Sequence, residues 1–275
     1  MKQFSMNHYD SSSAIHPFVE EIQALMAYRG LVVQFVARAI KTRYKRSILG
    51  VVWTLLNPLL TMIVLTVVFS HLFRIQIKNF PVYVLSGQLV WIFFSTTTSS
   101  AMGEMIWSGE LIKRIYVPKS VFAVAAIGTG LVNFLFSLLP LLIIALVLGV
   151  RMNPAMFTWL LTIPLLSIFS LGLGLLLSTA TVYFADMLPV YNVLLTIWLY
   201  LTPVIYPIEI VPQQWHWLFR INPVYYFVQA FREPLLTGSI PGLETWLPAT
   251  GFALATFLMG GLVFAAKSSE YAYRL

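Results

Sequence analysis

Cysteine is absent from the 275 residues, which excludes a disulfide framework and a thiolate metal site and leaves redox chemistry silent about compartment. Charge is scarce too: Asp, Glu, Lys and Arg make up 10% of the chain, against about a quarter in soluble domains. Apolar residues, 59% of the total, take the place of the missing charge, in several runs longer than the roughly 18 residues that identify a membrane span. The first thirty residues, Met1 to Gly30, are mostly polar, with Asp10, Ser11-Ser12-Ser13, Glu20 and Glu21. They lack the apolar centre of a cleaved signal peptide, so insertion is expected to rest on the later spans. Internal repeats are also missing, and the two halves do not mirror one another in hydropathy, which argues against an inverted-repeat carrier. A complete pathway would then need a second copy of the chain.

Reactive clusters are equally hard to find. The four histidines, His8, His16, His71 and His216, show no ligand spacing. No paired carboxylates or acidic metal motif stand near a span end, as a membrane-embedded glycosyltransferase or polymerase would need. Glu104 and Asp186 lie at span ends, and no Asp, Glu, Lys or Arg falls near the middle of a span, where an ion-coupled carrier normally keeps one. A phosphate-binding loop is missing as well. The nearest approach, Gly261 to Ser268, has Ala266 in place of the second glycine and closes an apolar span, so Lys267 reads as a flanking charge. The chain is therefore expected to hold no cofactor, and any nucleotide must be bound by a partner.

What is present is a series of apolar runs bounded by charge or Pro/Gly clusters. They predict an all-α integral membrane fold with spans at about 51–73, 80–103, 121–149, 156–184, 188–206 and 246–266. These divide the chain into a polar segment, 1–30, and a membrane domain, 31–275. Six spans put both termini on one side. That side then carries twelve of the seventeen Lys and Arg residues, leaving Arg74, Lys78, Arg151, Arg220 and Arg232 on the other. Positive charge concentrates in cytoplasmic loops, so the termini should face the cytoplasm. The net charge of +7 sits at span ends beside lipid headgroups, a distribution that does not indicate nucleic acid.

Leu31 to Leu49 is too charged to cross. Arg38, Lys41 and Lys45 recur on one face and Val33, Val36, Ile40 and Tyr44 on another, the pattern of an amphipathic helix in the interface. It serves either as an anchor or as a working element. Between the last two spans lie Pro207, Pro212, Trp215, Trp217, Pro223, Tyr225, Tyr226 and Pro234, too aromatic for a solvated loop, which predicts short helices dipping into the outer leaflet. Ser95 to Ser100 is an unbroken hydroxyl run that wraps every face of its helix, for helix packing or for a hydrated pore. Trp91, Trp198, Tyr200, Tyr206, Trp215 and Trp217 fit an interfacial aromatic belt, and some could instead stack on sugar rings. The loop from Glu104 to Lys119 interleaves Glu104, Glu110, Lys113, Arg114 and Lys119 with Trp107, Ile112 and Tyr116, a composition suited to a partner groove or to plain solvation.

Four ordered segments resemble the permease subunits of ATP-binding-cassette exporters for O-antigen, capsular polysaccharide and teichoic acid. The first is Arg43-Tyr44-Lys45-Arg46-Ser47-Ile48-Leu49-Gly50-Val51-Val52-Trp53 continuing to Asn57-Pro58-Leu59. The second is Ser86-Gly87 followed by Trp91 and Phe93-Phe94, and the third is Lys113-Arg114-Ile115-Tyr116-Val117-Pro118-Lys119. The fourth is Asn222-Pro223-Val224-Tyr225-Tyr226 leading to Arg232 and Gly238, after Pro203, Tyr206 and Pro207. The resemblance spans about residue 31 to the C-terminus. It implies a homodimer in the inner membrane with two cytoplasmic ATPase subunits that bind ATP and magnesium, and a lipid-linked polysaccharide as cargo. A drug or small glycolipid is the alternative cargo. The resemblance also makes Glu104 to Lys119 the loop that rides on the ATPase and Arg38, Lys41, Arg43, Lys45 and Arg46 an interface and gating element. Asn222, Tyr225, Tyr226 and neighbouring aromatics would then close the outer mouth.

Overall fold

The computed structural model describes residues 17–45, 52–69, 77–110 and 117–274. Regular structure among them is entirely helical. Two short helices come first, α1 (Pro17–Ala27) and α2 (Arg29–Tyr44), followed by α3 (Val52–Val67), α4 (Phe80–Trp107) and α5 (Ser120–Val147). A 3-10 turn, Pro154–Thr158, leads into α6 (Trp159–Tyr183) and then α7 (Met187–Tyr200). A hairpin of α8 (His216–Ile221) and α9 (Pro223–Leu236) precedes α10 (Leu243–Lys267), and the chain closes with α11 (Tyr271–Arg274).

Four of these helices, α4, α5, α6 and α10, are long and apolar enough to cross a membrane. Apolar α3 and α7 are shorter: at 1.5 Å per residue, the 14 residues of α7 reach about 21 Å, less than the roughly 30 Å hydrocarbon layer. All six expected spans thus have an apolar helix, four of them of crossing length. The helix α2 begins at Arg29, two residues before the amphipathic pattern becomes readable, and Pro17–Ala27 of the polar N-terminal segment forms α1.

Which helix lies at the centre follows from polarity. The hydroxyl run makes α4 the least hydropathic of the four long helices, and its apolar window is 67% buried; the most hydropathic, α5, is 28% buried. A helix carrying polar atoms is protected by protein, and one made of Leu, Ile and Val can face lipid. Helices α3, α5, α6, α7 and α9 all pack on α4. Phe94 is the hinge of the core, stacked on Phe169 of α6 and edge-on to Trp198 of α7. The start of α4 is set by Asn79, which adopts a left-handed φ of 58° that Asn tolerates, and by a proline in the first turn, where no N–H is needed.

The closest helix contact joins α6 to α10 through glycines. A Cβ on Gly260 would stand 1.9 Å from the Gly172 carbonyl oxygen, and one on Gly172 would stand 2.4 Å from the Phe257 nitrogen. Bare backbones meet there, the arrangement small residues permit between membrane helices.

Candidate functional site

Three groups of residues stand out, and each is positioned by a different part of the bundle. The first is an open-sided cavity of about 960 Å³ lined by α2, α3, α4 and α5. It runs along α4 from Trp107 to Leu89, about 27 Å at the helical rise. Thr96, Thr97 and Ser100 line it from α4; Thr129, Asn133 and Ser137 line it from α5 at successive four-residue steps; Arg38, Thr42 and Arg43 overhang it from α2. Thr96, Thr97, Thr129 and Ser137 each donate to a carbonyl one turn back, which leaves their lone pairs as acceptors. The wall thus offers hydrogen-bonding oxygen without fixed charge over most of its length. Charge is confined to one end, where Arg38, Arg43 and half-buried Glu104 contribute. Neither arginine has an ion-pair partner among the described residues.

The hydroxyl run therefore divides between helix packing on one face and the cavity wall on another. Thr98 hydrogen-bonds Tyr191 at 2.7 Å and Ser99 donates to Asn192 at 3.2 Å, joining α4 to α7, whereas Thr96, Thr97 and Ser100 face the cavity. The basic helix is held over the cavity by Phe35 stacked on Phe122, centroids 5.5 Å apart, and by Val36 seated against Gly128. Lys41 and Lys45 lie on a neighbouring groove of α2 with Gln34 and Ala37. Arg46 lies outside the described residues.

The second group is the α8–α9 hairpin. At its apex Asn222 caps α9, accepting from Val224 N at 3.0 Å and from Trp198 Nε1 at 2.8 Å. Its amide donates to Leu201 O at 3.1 Å and Thr202 Oγ1 at 2.8 Å. All four hydrogen-bonding sites of this side chain are used, so the apex is locked to the end of α7. One turn on, Phe227 packs on Phe169, ten residues into α6, and Phe231 stacks on Trp159, whose indole donates to Phe231 O at 2.8 Å. Arg232, expected as a flanking charge, is 3% exposed. Its guanidinium donates to Pro203 O at 3.0 Å and Val204 O at 2.9 Å and lies 3.7 Å from the centre of the Tyr83 ring. Gly87 leaves the space it occupies, since a Cβ there would stand 2.1 Å from Nη2.

The aromatic candidates separate accordingly. Trp91 and Trp198 are packing residues, the first 7% exposed against Phe94 and the second bonded to Asn222. Tyr206 donates to Tyr200 O at 2.6 Å and Tyr226 to Arg220 O at 2.8 Å, stapling the connecting segment. Tyr225 packs edge-on against Tyr226. Tyr200, Trp215 and Trp217 are exposed.

The third group sits at the basal end of the bundle, defined by Lys119, Tyr183 and Lys267. Glu104 and Trp107 belong to the last turns of α4, with the Trp107 ring folded over Gly103; Glu110 is exposed. Lys113, Arg114 and Tyr116 lie outside the described residues. Lys119 donates to Ser268 O and stands 5.8 Å from the Tyr271 ring centre. Tyr271, fully buried, hydrogen-bonds Thr179 at 2.6 Å, and Glu270 takes up Tyr183 at 2.5 Å and Lys267 at 3.0 Å. The C-terminal residues thus tie the ends of α5, α6 and α10 together. Burial holds the Lys119 ammonium below its ordinary pKa, and the Glu21 carboxylate partly opposes that shift. Because the folded value is lower than the unfolded one, the unfolded chain binds more protons there, and this group's contribution to stability rises with pH on the alkaline side, up to the value of a free lysine. Acylation of Lys119 in the folded protein, followed by mass spectrometry, should accordingly have a pH midpoint below that of free lysine. A midpoint at or above the free value would show that burial does not dominate at Lys119.

Sequence reasoning missed the α5 side of the cavity, although Thr129, Asn133 and Ser137 at four-residue spacing in the most apolar span are a readable stripe. It also missed the burial of Arg232, for which only the nearby Pro203 and Gly87 gave any signal. Among the described residues no group of three or more His, Asp or Glu could hold a metal ion.

Four crossing-length helices, two of which line a hydroxyl-bearing cavity, define a multi-pass membrane protein. The model for the ABC-2 type transporter family matches residues 31–236, and the chain belongs to that family. Among its relatives are the O-antigen export system permease protein RfbA of Myxococcus xanthus, 27% identical over 253 residues that cover 91% of this chain and 97% of the relative. The protein of the same name from Klebsiella pneumoniae is 26% identical over 214 residues, 76% of this chain and 82% of its own. The polysialic acid transport protein KpsM of Escherichia coli is 26% identical over 235 residues, 84% and 90% of the two chains.

Proposed function

We propose that this chain is the membrane-spanning subunit of an ATP-driven exporter that moves a lipid-linked polysaccharide across the inner membrane. The observation that carries this reading is the cavity: an extended wall of hydroxyl and amide groups with cationic residues at one end, in a chain similar over nearly its whole length to polysaccharide export permeases. Sugars present many hydroxyls and little charge, so a wall of neutral donors and acceptors suits them, and the cations suit an anionic lipid carrier. Transport through a polymer-sized path needs a second copy of the chain, because one protomer supplies one wall.

In this reading the basal end faces the cytoplasm with both termini, α3 and α7 complete two further crossings with their flanking residues, and the α8–α9 hairpin covers the outer mouth. No residue here supplies hydrolysis. Two separate ATPase subunits bind ATP and magnesium, and their closure pushes the 104–119 segments and shifts the long helices between two states. Lys113 and Arg114 give that segment its charge complementarity to the ATPase. Reversing both to glutamate should leave ATP hydrolysis within about threefold and lower surface polysaccharide at least tenfold, about 1.4 kcal/mol of lost coupling. Undiminished export by the double variant would remove this segment from the coupling path.

A further inference from the structure

A helix whose N-terminus has no local cap follows the 104–119 segment. The N-cap position of α5 is Lys119, whose side chain has no acceptor and makes no capping hydrogen bond. The missing acceptor comes from 99 residues away: Glu21 Oε1 of α1 accepts from Ser120 N at 3.1 Å. A carboxylate at that point also meets the positive end of the α5 dipole and the half-buried Lys119 ammonium. Lys119 is held from its other side by Ser268 O and the Tyr271 ring.

The helix that supplies Glu21 is itself seated on α10. Phe18 lies edge-on to Phe257, centroids 6.1 Å apart, and occupies the space a side chain at Gly261 would take, a Cβ there standing 2.2 Å from its ring. Only Tyr28 separates α1 from α2, the basic helix that overhangs the cavity. A continuous set of contacts therefore runs from the exit of the 104–119 segment, through Glu21 and α1, to the cavity wall.

We infer that α1 is a lever that links the loop contacting the ATPase to the basic helix over the cavity, with Glu21 as the positioning residue that grips the loop's exit. The inference rests on the export reading above and adds an element outside the family match, which begins at residue 31. Displacement of the α5 N-terminus would pull on Glu21, rotate α1 about its Phe18 anchor and move α2, opening or closing the charged end of the cavity. Packed, bonded elements of this kind carry coupling between sites when they switch between two discrete arrangements.

The test uses the full chain in complex with its ATPase, comparing wild type, Glu21→Ala, Glu21→Gln and Gly261→Leu. Amide exchange at residues 119–122 should accelerate about tenfold in Glu21→Ala and return close to wild type in Glu21→Gln, whose Oε1 still accepts from Ser120 N. Surface polysaccharide made per ATP hydrolysed should fall at least fivefold in Glu21→Ala and in Gly261→Leu, with complex yield and ATPase rate kept within twofold. Unchanged exchange at Ser120, or export per ATP equal to wild type in both variants, overturns the proposal. A loss of yield, ATPase rate and export in parallel also overturns it, because it would show α1 to be a structural brace. If wild-type chain neither binds an ATPase nor supports export, the export reading fails by itself; the exchange comparison still decides whether Glu21 grips α5.

Discussion

Gly260→Leu should prevent the chain from accumulating as a folded protein. The glycine faces the Gly172 carbonyl so closely that even a methyl group would stand 1.9 Å from its oxygen, and the reciprocal contact at Gly172 is 2.4 Å from backbone nitrogen. Neither neighbour is a flexible side-chain tip, so the strain cannot be relieved by a rotamer change. Helices α6 and α10 must separate along one of the most extensive interfaces in the bundle, loosening α6, whose Leu171 packs against both core clusters. Overpacking of a tight core costs about 1–3 kcal/mol where side chains can adjust, and a backbone collision exceeds that range, against a total stability of about 5–15 kcal/mol. Thermal unfolding in detergent should show Gly260→Ala melting several degrees lower and Gly260→Leu yielding no monodisperse species. A leucine variant that purifies normally and melts within two or three degrees of wild type would show that the helices are not in backbone contact.

Arg232→Met carries the second large effect. The side chain is buried, and its guanidinium satisfies the carbonyls of Pro203 and Val204, which follow the end of α7 and have no helical partner. Hydrogen bonds to a charged donor contribute about 1.5–3 kcal/mol each, and deleting this donor strips Val204 O of its bond and leaves Pro203 O only the long 3.5 Å contact from the Tyr83 hydroxyl. A loss of about 3 kcal/mol is expected, concentrated in the segment between α7 and α8. Lysine should not rescue it, because one ammonium cannot reproduce two parallel N–H donors and the flat contact with Tyr83. Gly87→Ala should reach the same end from the opposite side by taking the space of Nη2. Limited proteolysis should cut at 201–215 in these variants and spare wild type; equal resistance in all three would mean that Arg232 does not hold the segment.

Much of this was readable beforehand, for a physical reason. Lipid solvates only apolar side chains, so each long run of Leu, Ile, Val and Phe marks its own helix, and α4, α5, α6 and α10 lie within a few residues of the expected limits. The short helices between the last two spans were readable from their aromatic and proline content, a local signal. What escaped was non-local. Nothing near Glu21 shows that its carboxylate accepts from an amide N–H 99 positions later, and nothing at Arg232 distinguishes a flanking charge from a buried one until Pro203, Val204 and Tyr83 are brought around it. The aromatic residues show the same limit. Trp91 and Trp198 resemble Trp215 and Trp217 in sequence, yet the first pair packs inside and the second pair is exposed, because the direction of a ring depends on helix rotation.

The family is shown by the match over 31–236, and the proposed cargo rests on the cavity wall together with the similarity to O-antigen export permeases. One measurement bears on that claim most directly. The chain is purified in mild detergent from its native host, and bound ATPase, lipid-linked polymer inside the cell and polysaccharide at the surface are compared with and without the gene. The account predicts an ATP-hydrolysing subunit in the purified complex and, on deletion, loss of surface polymer with accumulation of the lipid-linked form inside. A chain that purifies with an ATPase and leaves surface polymer unchanged on deletion would move the cargo to a drug or small glycolipid, and one that purifies alone would contradict the account as a whole.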